Sequence, residues 1–219
     1  MLNRLRRFGF RLLYNECAFT YDLVSRIVSL GQWRCWQRSL FPIMGLPKYD
    51  TVLELAHGTG DLQVDLLEAG YRTVALDLSP TMGRITQSKL RRKGLHTPIL
   101  RADVCQLPLK SSSFAAIVCT FPTSFVFRPD MLAELKRVLT PDGSADFVLS
   151  GQLIGGDPVK VKALIRGIYR VTGQESALLG EDDIHAFFGE NGFDAQIEVV
   201  DCKRSQAQVV MLQKKPEFS

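Results

Sequence analysis

The chain has 219 residues, 46% hydrophobic and 23% charged, a balance that excludes wholesale disorder and fits one globular domain with small additions. Its formal net charge is +4, but the excess is local. Residues 1–38 hold seven arginines against Glu16 and Asp22, whereas residues 39–219 hold 20 basic and 21 acidic side chains. A near-neutral body argues against a broad nucleic-acid-binding surface, so no nucleic-acid partner is expected.

Residues 2–13 place Leu2, Leu5, Phe8, Leu12 and Leu13 among Arg4, Arg6, Arg7 and Arg11, which is helical spacing with a basic face. Such a helix at residues 1–13 suits peripheral contact with an anionic membrane, and equally a solvated lid. The helical pattern continues through Phe19, Leu23, Ile27, Trp33 and Leu40, is interrupted at Gly31, and ends where Pro42 and Pro47 mark a connection. Trp33, Trp36 and this continuing pattern favour folded protein over a mitochondrial presequence. There is no continuous apolar segment of a secretory signal peptide and none of the ~18 residues that a membrane span needs. The expected location is cytoplasmic, with peripheral membrane association as its extension. The five cysteines, 17, 35, 105, 119 and 202, are odd in number and form no C-x-x-C pair. Neither a disulfide framework nor a metal site is expected, and a reducing compartment follows.

After Tyr49 strands and helices alternate. Strands are predicted at 51–55, 73–76, 99–101, 114–120 and 145–149, with an antiparallel closing pair at 197–200 and 207–212. Helices are predicted at 61–69, 79–93, 130–139, 158–171 and 181–190. Ser79 has the chemistry of an N-cap and Pro80 suits the first helical position. Pro141-Asp142-Gly143 stops the helix before it. The nearly all-apolar run 114–120 reads as a strand covered on both faces. The order predicts an α/β, Rossmann-like three-layer sandwich around a seven-stranded, mostly parallel sheet with an antiparallel last strand, plus N-terminal helices. Residues 1–48 form the basic N-terminal part capping the site, and 49–219 the main domain, with an acceptor-side insert around 150–180.

The informative segment is Val52-Leu53-Glu54-Leu55-Ala56-His57-Gly58-Thr59-Gly60-Asp61. A buried strand delivers an acid and then a small-x-Gly-x-Gly turn into a helix, the logic of sites where backbone approaches a nucleotide-like ligand. Asp77 ends the second strand, placed to accept hydrogen bonds from ribose hydroxyls, and Asp103 follows the third. These signals lie at successive strand ends, along one edge of the sheet. A dinucleotide-binding dehydrogenase is the competing use of such a loop. Its G-x-G-x-x-G spacing fails here because residue 63 is Gln.

Residues 51–149 resemble class I S-adenosylmethionine-dependent methyltransferases. The resemblance rests on Glu54 to Gly60, Asp77-Leu-Ser-Pro, Ala102-Asp103 with Leu107-Pro108, and Glu134 to Gly143. It implies S-adenosyl-L-methionine as cofactor and S-adenosyl-L-homocysteine as product. Glu54, Ala56, His57, Gly58, Thr59 and Gly60 would surround the amino-acid part of the cofactor. Asp77 would hold the ribose, Leu78 and Met82 would pack on the adenine, and Asp103 with Val104 would take its amino edge. Thr120 and Phe121 would line the floor under the sulfonium. Tyr21-Asp22-Leu23, Ser29-Leu30-Gly31, Arg34, Trp36 and Arg38, together with Ala56 and Asp61, resemble the menaquinone and ubiquinone biosynthesis C-methyltransferases. That likeness implies a small hydrophobic or aromatic acceptor, such as a quinol precursor or lipid.

Methyl transfer depends chiefly on positioning. No catalytic base stands out, and the candidates are Tyr14, Tyr21, Asp22 and His57. Arg128 is a candidate for an anionic acceptor group. Phe121, Phe125 and Phe127, with the apolar stripe from Val159 to Val171, suit an apolar acceptor pocket. A tailoring methyltransferase of a soluble natural product, an RNA or protein methyltransferase, and a non-catalytic binding protein are the alternative readings.

Overall fold

A computed structural model describes residues 29–47, 50–154 and 180–216. The basic helix expected at 1–13, the candidates Tyr14, Tyr21 and Asp22, and the stripe from Val159 to Val171 lie outside the described residues.

Seven strands form one sheet: β1 Thr51–Leu55, β2 Arg72–Asp77, β3 Ile99–Arg101, β4 Phe114–Thr120, β5 Leu139–Leu153, β6 Phe193–Cys202 and β7 Ser205–Lys214. Their spatial order is β3-β2-β1-β4-β5-β7-β6. Pairs among β1 to β5 are parallel, while β7 is antiparallel to both β5 and β6. β7 is therefore the one reversed strand, as expected. The chain winds outward from β1 to β3 and then returns to place β4 on the other side of β1. That reversal of order leaves a crevice beyond the carboxyl ends of β1 and β4.

Six described helices accompany the sheet: α1 Trp33–Arg38, α2 Phe41–Met44, α3 Asp61–Glu68, α4 Pro80–Arg92, α5 Pro129–Val138 and α6 Glu181–Glu190. Side-chain alternation along the strands feeds two cores. On one face Leu53, Leu55, Ile117, Phe147 and Val210 pack with Met131, Leu132 and Leu135 of α5 and with Ile184 and Phe188 of α6. On the other, Val52, Ala116, Val118 and Val148 pack with Leu62 and Leu66 of α3 and with Trp36, Leu40 and Met44. The short α1 and α2 thus share a core with the sheet.

The Pro141-Asp142-Gly143 stop acts differently from expectation. β5 already begins at Leu139, opposite Phe114, and its pairing resumes with Ser144 opposite Ala116. Residues 140–143 form a bulge, which lets proline sit beside a ladder to which it cannot donate. The closing strands are also longer than their apolar cores, because backbone pairing of an antiparallel hairpin continues through polar residues.

A second expectation is corrected. Cys35 of α1 and Cys202 at the end of β6 form a disulfide across 167 residues, with Cα atoms 6.0 Å apart. Sequence spacing cannot reveal a pair that only the tertiary fold brings together. Beside it, Trp36 Nε1 donates to Ser205 Oγ at 2.9 Å, and a Cβ at Gly151 would overlap the Trp36 indole. Among the described residues, no helix is long and apolar enough to cross a membrane.

Asp146 lies within β5, 1% exposed, and accepts one hydrogen bond from Ser144 Oγ at 3.0 Å. Burial pushes its carboxyl up to about 6, partly offset by that hydrogen bond. The native state therefore holds this proton more tightly than the unfolded chain, so the Asp146 contribution is favourable at low pH and is lost as pH rises through about 6. The difference from an ordinary aspartate corresponds to about 3 kcal/mol at neutral pH. Asp146→Asn is expected to be more stable than the parent at neutral pH and to converge on it towards about pH 4. Urea denaturation of both proteins across that range measures the difference, and a constant gap would refute the assignment.

Candidate functional site

A cleft of about 510 Å³ lies at the carboxyl edge of the sheet. Each wall follows a strand. Ala56 and Gly58 come from the turn after β1, and Asp77, Leu78, Ser79 and Pro80 from the end of β2. Arg101, Ala102, Asp103 and Val104 follow β3, and Thr120, Phe121, Thr123, Phe125 and Arg128 follow β4. Eight of the expected cofactor residues are thereby brought together: Ala56, Gly58, Asp77, Leu78, Asp103, Val104, Thr120 and Phe121.

Asp77 organises this edge. Its Oδ2 accepts the Gly58 N–H at 3.0 Å and its Oδ1 accepts the Ser79 N–H at 2.8 Å. One carboxylate so joins the glycine turn to the start of α4, where Ser79 Oγ accepts the Met82 N–H at 3.2 Å. From the other side, the buried Thr86 hydroxyl of α4 donates to the Gly58 carbonyl at 3.0 Å.

The two glycines serve different ends. Gly60 has φ +78, and a Cβ there would sit 2.5 Å from Thr86 Cγ2, so helix packing demands glycine. Gly58 has φ +54, and a Cβ there would meet nothing nearer than the Ala56 carbonyl at 4.0 Å. Its constraint is backbone conformation at the cleft rather than packing. Ala56 and Phe121 hold φ of +49 and +54 despite their Cβ atoms. Both line the cleft, the setting in which such strain tends to be retained.

The remaining expected residues lie behind the surface. Glu54 is 2% exposed, and its Oε2 has no hydrogen-bond partner among the described residues. Burial holds its carboxyl well above the usual carboxylate range, and the charges of Asp77, Asp61 and Asp65 add to this, with Arg34 opposing. His57 is turned into the loop, its Nδ1 2.9 Å from the Gly58 carbonyl and 3.1 Å from Thr86 Oγ1. Burial lowers its affinity for a proton. Its buried Nε2 has no partner among the described residues. Thr59 and Met82 are also buried. Arg128 lines the cleft and is paired with Asp130 at its rim.

Two supports escaped sequence reasoning. Asp65 of α3 receives Arg34 at 2.5 Å and both Arg38 Nε and Nη2, at 3.0 and 2.8 Å, while Asp61 receives Lys89 at 2.6 Å. The helix leaving the glycine turn is therefore tied to α1 and α4. Next, Glu134 accepts the Leu107 N–H at 2.6 Å while Arg137 donates to the Leu107 and Leu109 carbonyls. Two motif segments noticed separately in the sequence form one clamp. Acid and base at i, i+3 on α5 were the available signal.

Residues 52–143 match the family described as a methyltransferase domain. A demethylmenaquinone methyltransferase of Thermus thermophilus is 34% identical over 134 residues, covering 60% of this chain and 61% of that protein. A ubiquinone/menaquinone biosynthesis C-methyltransferase of Psychromonas ingrahamii is 32% identical over 138 residues, 60% of this chain and 55% of that protein. The chain spans about three fifths or less of the length of these curated relatives. Among solved structures, a SAM-dependent methyltransferase from Aquifex aeolicus superposes with a TM-score of 0.61 at 17% identity, covering 87% of this chain and 97% of that one. A putative S-adenosyl-L-methionine-dependent methyltransferase from Methanococcus maripaludis gives 0.63 at 16% identity, covering 92% and 93%. At these identities the likeness is one of fold.

Thr86→Val is expected to lower stability by about 1 kcal/mol, because it keeps the shape while removing the hydroxyl that satisfies the Gly58 carbonyl. Chemical denaturation measures it, and an unchanged midpoint would remove Thr86 from the account.

Proposed function

We propose that a chain whose residues 52–143 match a methyltransferase domain is an S-adenosylmethionine-dependent methyltransferase acting on a small hydrophobic or aromatic acceptor. The observation that carries this reading is the Asp77 bridge between Gly58 and Ser79 at the mouth of the cleft.

The residues present fit the cofactor. Each Asp77 oxygen already accepts one backbone N–H, and each keeps a lone pair for a ribose hydroxyl. The side of Gly58 where a Cβ would project is open enough for close approach of a ligand. Glu54 supplies an unpartnered carboxyl oxygen behind the turn; burial favours its neutral form, and a cationic amino group beside it would favour the carboxylate. Leu78 is 63% exposed beside the cleft and offers an apolar surface to a base. Asp103 follows β3, where its Oδ1 accepts the Cys105 N–H at 3.0 Å and is thereby oriented. When bound, the cofactor supplies an activated methyl group on a sulfonium.

This chain's own part is positioning and exclusion of water. Thr120 and Phe121 form the floor where β4 ends. His57 faces away into the loop, which leaves Tyr14, Tyr21 and Asp22 as the remaining base candidates in the proposal. Phe121 and Phe125 present aromatic surface to the cleft, which supports an apolar or aromatic acceptor. The printed names of the relatives point the same way, towards a quinol precursor. In this reading residues 1–48 cap the acceptor side, with the insert at 150–180 completing it.

Calorimetric titration with S-adenosylhomocysteine tests the proposal. The intact protein is expected to bind. Asp77→Ala is expected to weaken binding by about 10- to 100-fold, the loss of one or two hydrogen bonds to a charged group, while the circular dichroism spectrum is retained. Absence of binding by the parent at millimolar ligand would overturn the proposal.

We also propose that residues 1–13 contact an anionic membrane from the cytoplasm, as the charge partition supports. Each basic residue near such a surface contributes about 1 kcal/mol. Deleting residues 1–13 is expected to weaken sedimentation with anionic vesicles. An intact protein that never binds them would reduce the segment to a lid.

A further inference from the structure

The Cys35–Cys202 bond falls where it can act on the cleft. Cys35 lies on α1 between Trp33 and Trp36, and Cys202 ends β6. Trp33 is stacked on Phe121, with ring centroids 4.0 Å apart and planes inclined by 20°. Phe121 lines the cleft where β4 ends. One helical turn thus carries both the sulfur that fixes α1 to the sheet and the ring that backs the wall of the cleft.

α1 has six residues, too few to persist without tertiary contacts. The Trp36–Ser205 hydrogen bond holds its inner face. Arg34 and Arg38 hold it to Asp65, but the Arg38 side chain is 57% exposed, so that pair is screened by solvent. The disulfide is the covalent attachment among these.

We propose that Cys35–Cys202 is a reversible dithiol–disulfide pair that latches α1 against Phe121, so that a dithiol reductant loosens the wall of the cleft. Calling that wall the acceptor side rests on the methyltransferase reading; the latch itself does not. Cys202 is 4% exposed and Cys35 half-buried, so an incoming thiolate meets the Cys35 sulfur first. Attack there forms a mixed disulfide and expels the Cys202 thiolate, which takes a proton. The second thiol of the reductant then closes its own disulfide and releases the Cys35 thiolate, which is protonated in turn. Two electrons and two protons pass to the protein, and the reductant leaves oxidised. Among the described residues, the two remaining cysteines, Cys105 and Cys119, do not serve as the reductant. Burial pushes the Cys105 thiol up to about 12 and the Cys119 thiol well above its ordinary value, so neither is a thiolate at neutral pH.

The chain has two tryptophans, and both lie on α1, so selectively excited tryptophan fluorescence reports on this helix alone. Protein oxidised in air is expected to yield a linked peptide pair containing Cys35 and Cys202. Dithiothreitol is expected to raise acrylamide quenching by about twofold, as a locally released element becomes accessible, and reoxidation to restore it. A Cys35→Ser/Cys202→Ser protein is expected to keep the higher quenching with or without reductant. If that variant fails to fold, the reductant series on the parent still decides. No linked peptide, or quenching unchanged by reduction, overturns the latch. S-adenosylhomocysteine titration in both redox states separates the two readings: loss of binding in both overturns the methyltransferase reading, whereas the quenching result alone decides the latch.

Discussion

The Asp77 carboxylate does two things at once. It ends β2 and accepts backbone hydrogen bonds from Gly58 and Ser79, so the turn after β1 and the start of α4 share one anchor. Backbone donors at a turn and at a helix start must find partners, and a charged acceptor makes stronger bonds than a neutral one. With those donors satisfied, the glycine turn has a defined conformation. The cleft beside it then has a defined wall.

The rest of the site is arranged to keep that turn still. Thr86 reaches it from behind through the space that Gly60 leaves. Asp61 and Asp65, on the helix that leaves the turn, receive Lys89, Arg34 and Arg38. These attachments come from α1 and α4, so both flanking helices restrain the same loop. On the opposite wall Phe121 is held in a left-handed conformation, its N–H bonded to the Val148 carbonyl at 2.8 Å and its ring under Trp33. For the proposed methyl transfer such over-determined walls matter, because small misplacement is costly.

Charge is distributed to match. Acids cluster beneath and beside the turn, with Glu54 enclosed and Asp77 and Asp103 at the cleft. Such a set favours a ligand carrying positive charge. Arginines occupy the outer rim at Arg101 and Arg128, and the latter is already paired with Asp130. The cleft thus separates a polar, acidic half around Asp77 from an aromatic half around Phe121 and Phe125, a division that suits a cofactor on one side and an apolar acceptor on the other.

Much of this was legible in the sequence, for a local reason. Period-two apolar runs and the Ser79-Pro80 start specify strands and a helix within a few residues of one another, and β3, β4 and α6 appear within the expected limits. Strand ends carrying Glu54, Asp77 and Asp103 announced an acidic carboxyl edge. What the sequence could not decide depends on contacts between distant segments. It could not say that Glu54 and His57 turn inward while Leu78 faces out. It did not show that Glu134 and Arg137 grip residues 107–109, or that Pro141 to Gly143 bulge within β5 rather than stop the helix before it. Least of all could it pair Cys35 with Cys202, since an odd count of cysteines without close spacing reads as free thiols until the fold brings α1 to the end of β6. Local periodicity determines elements, whereas side-chain direction and long-range partners are decided only when the layers pack.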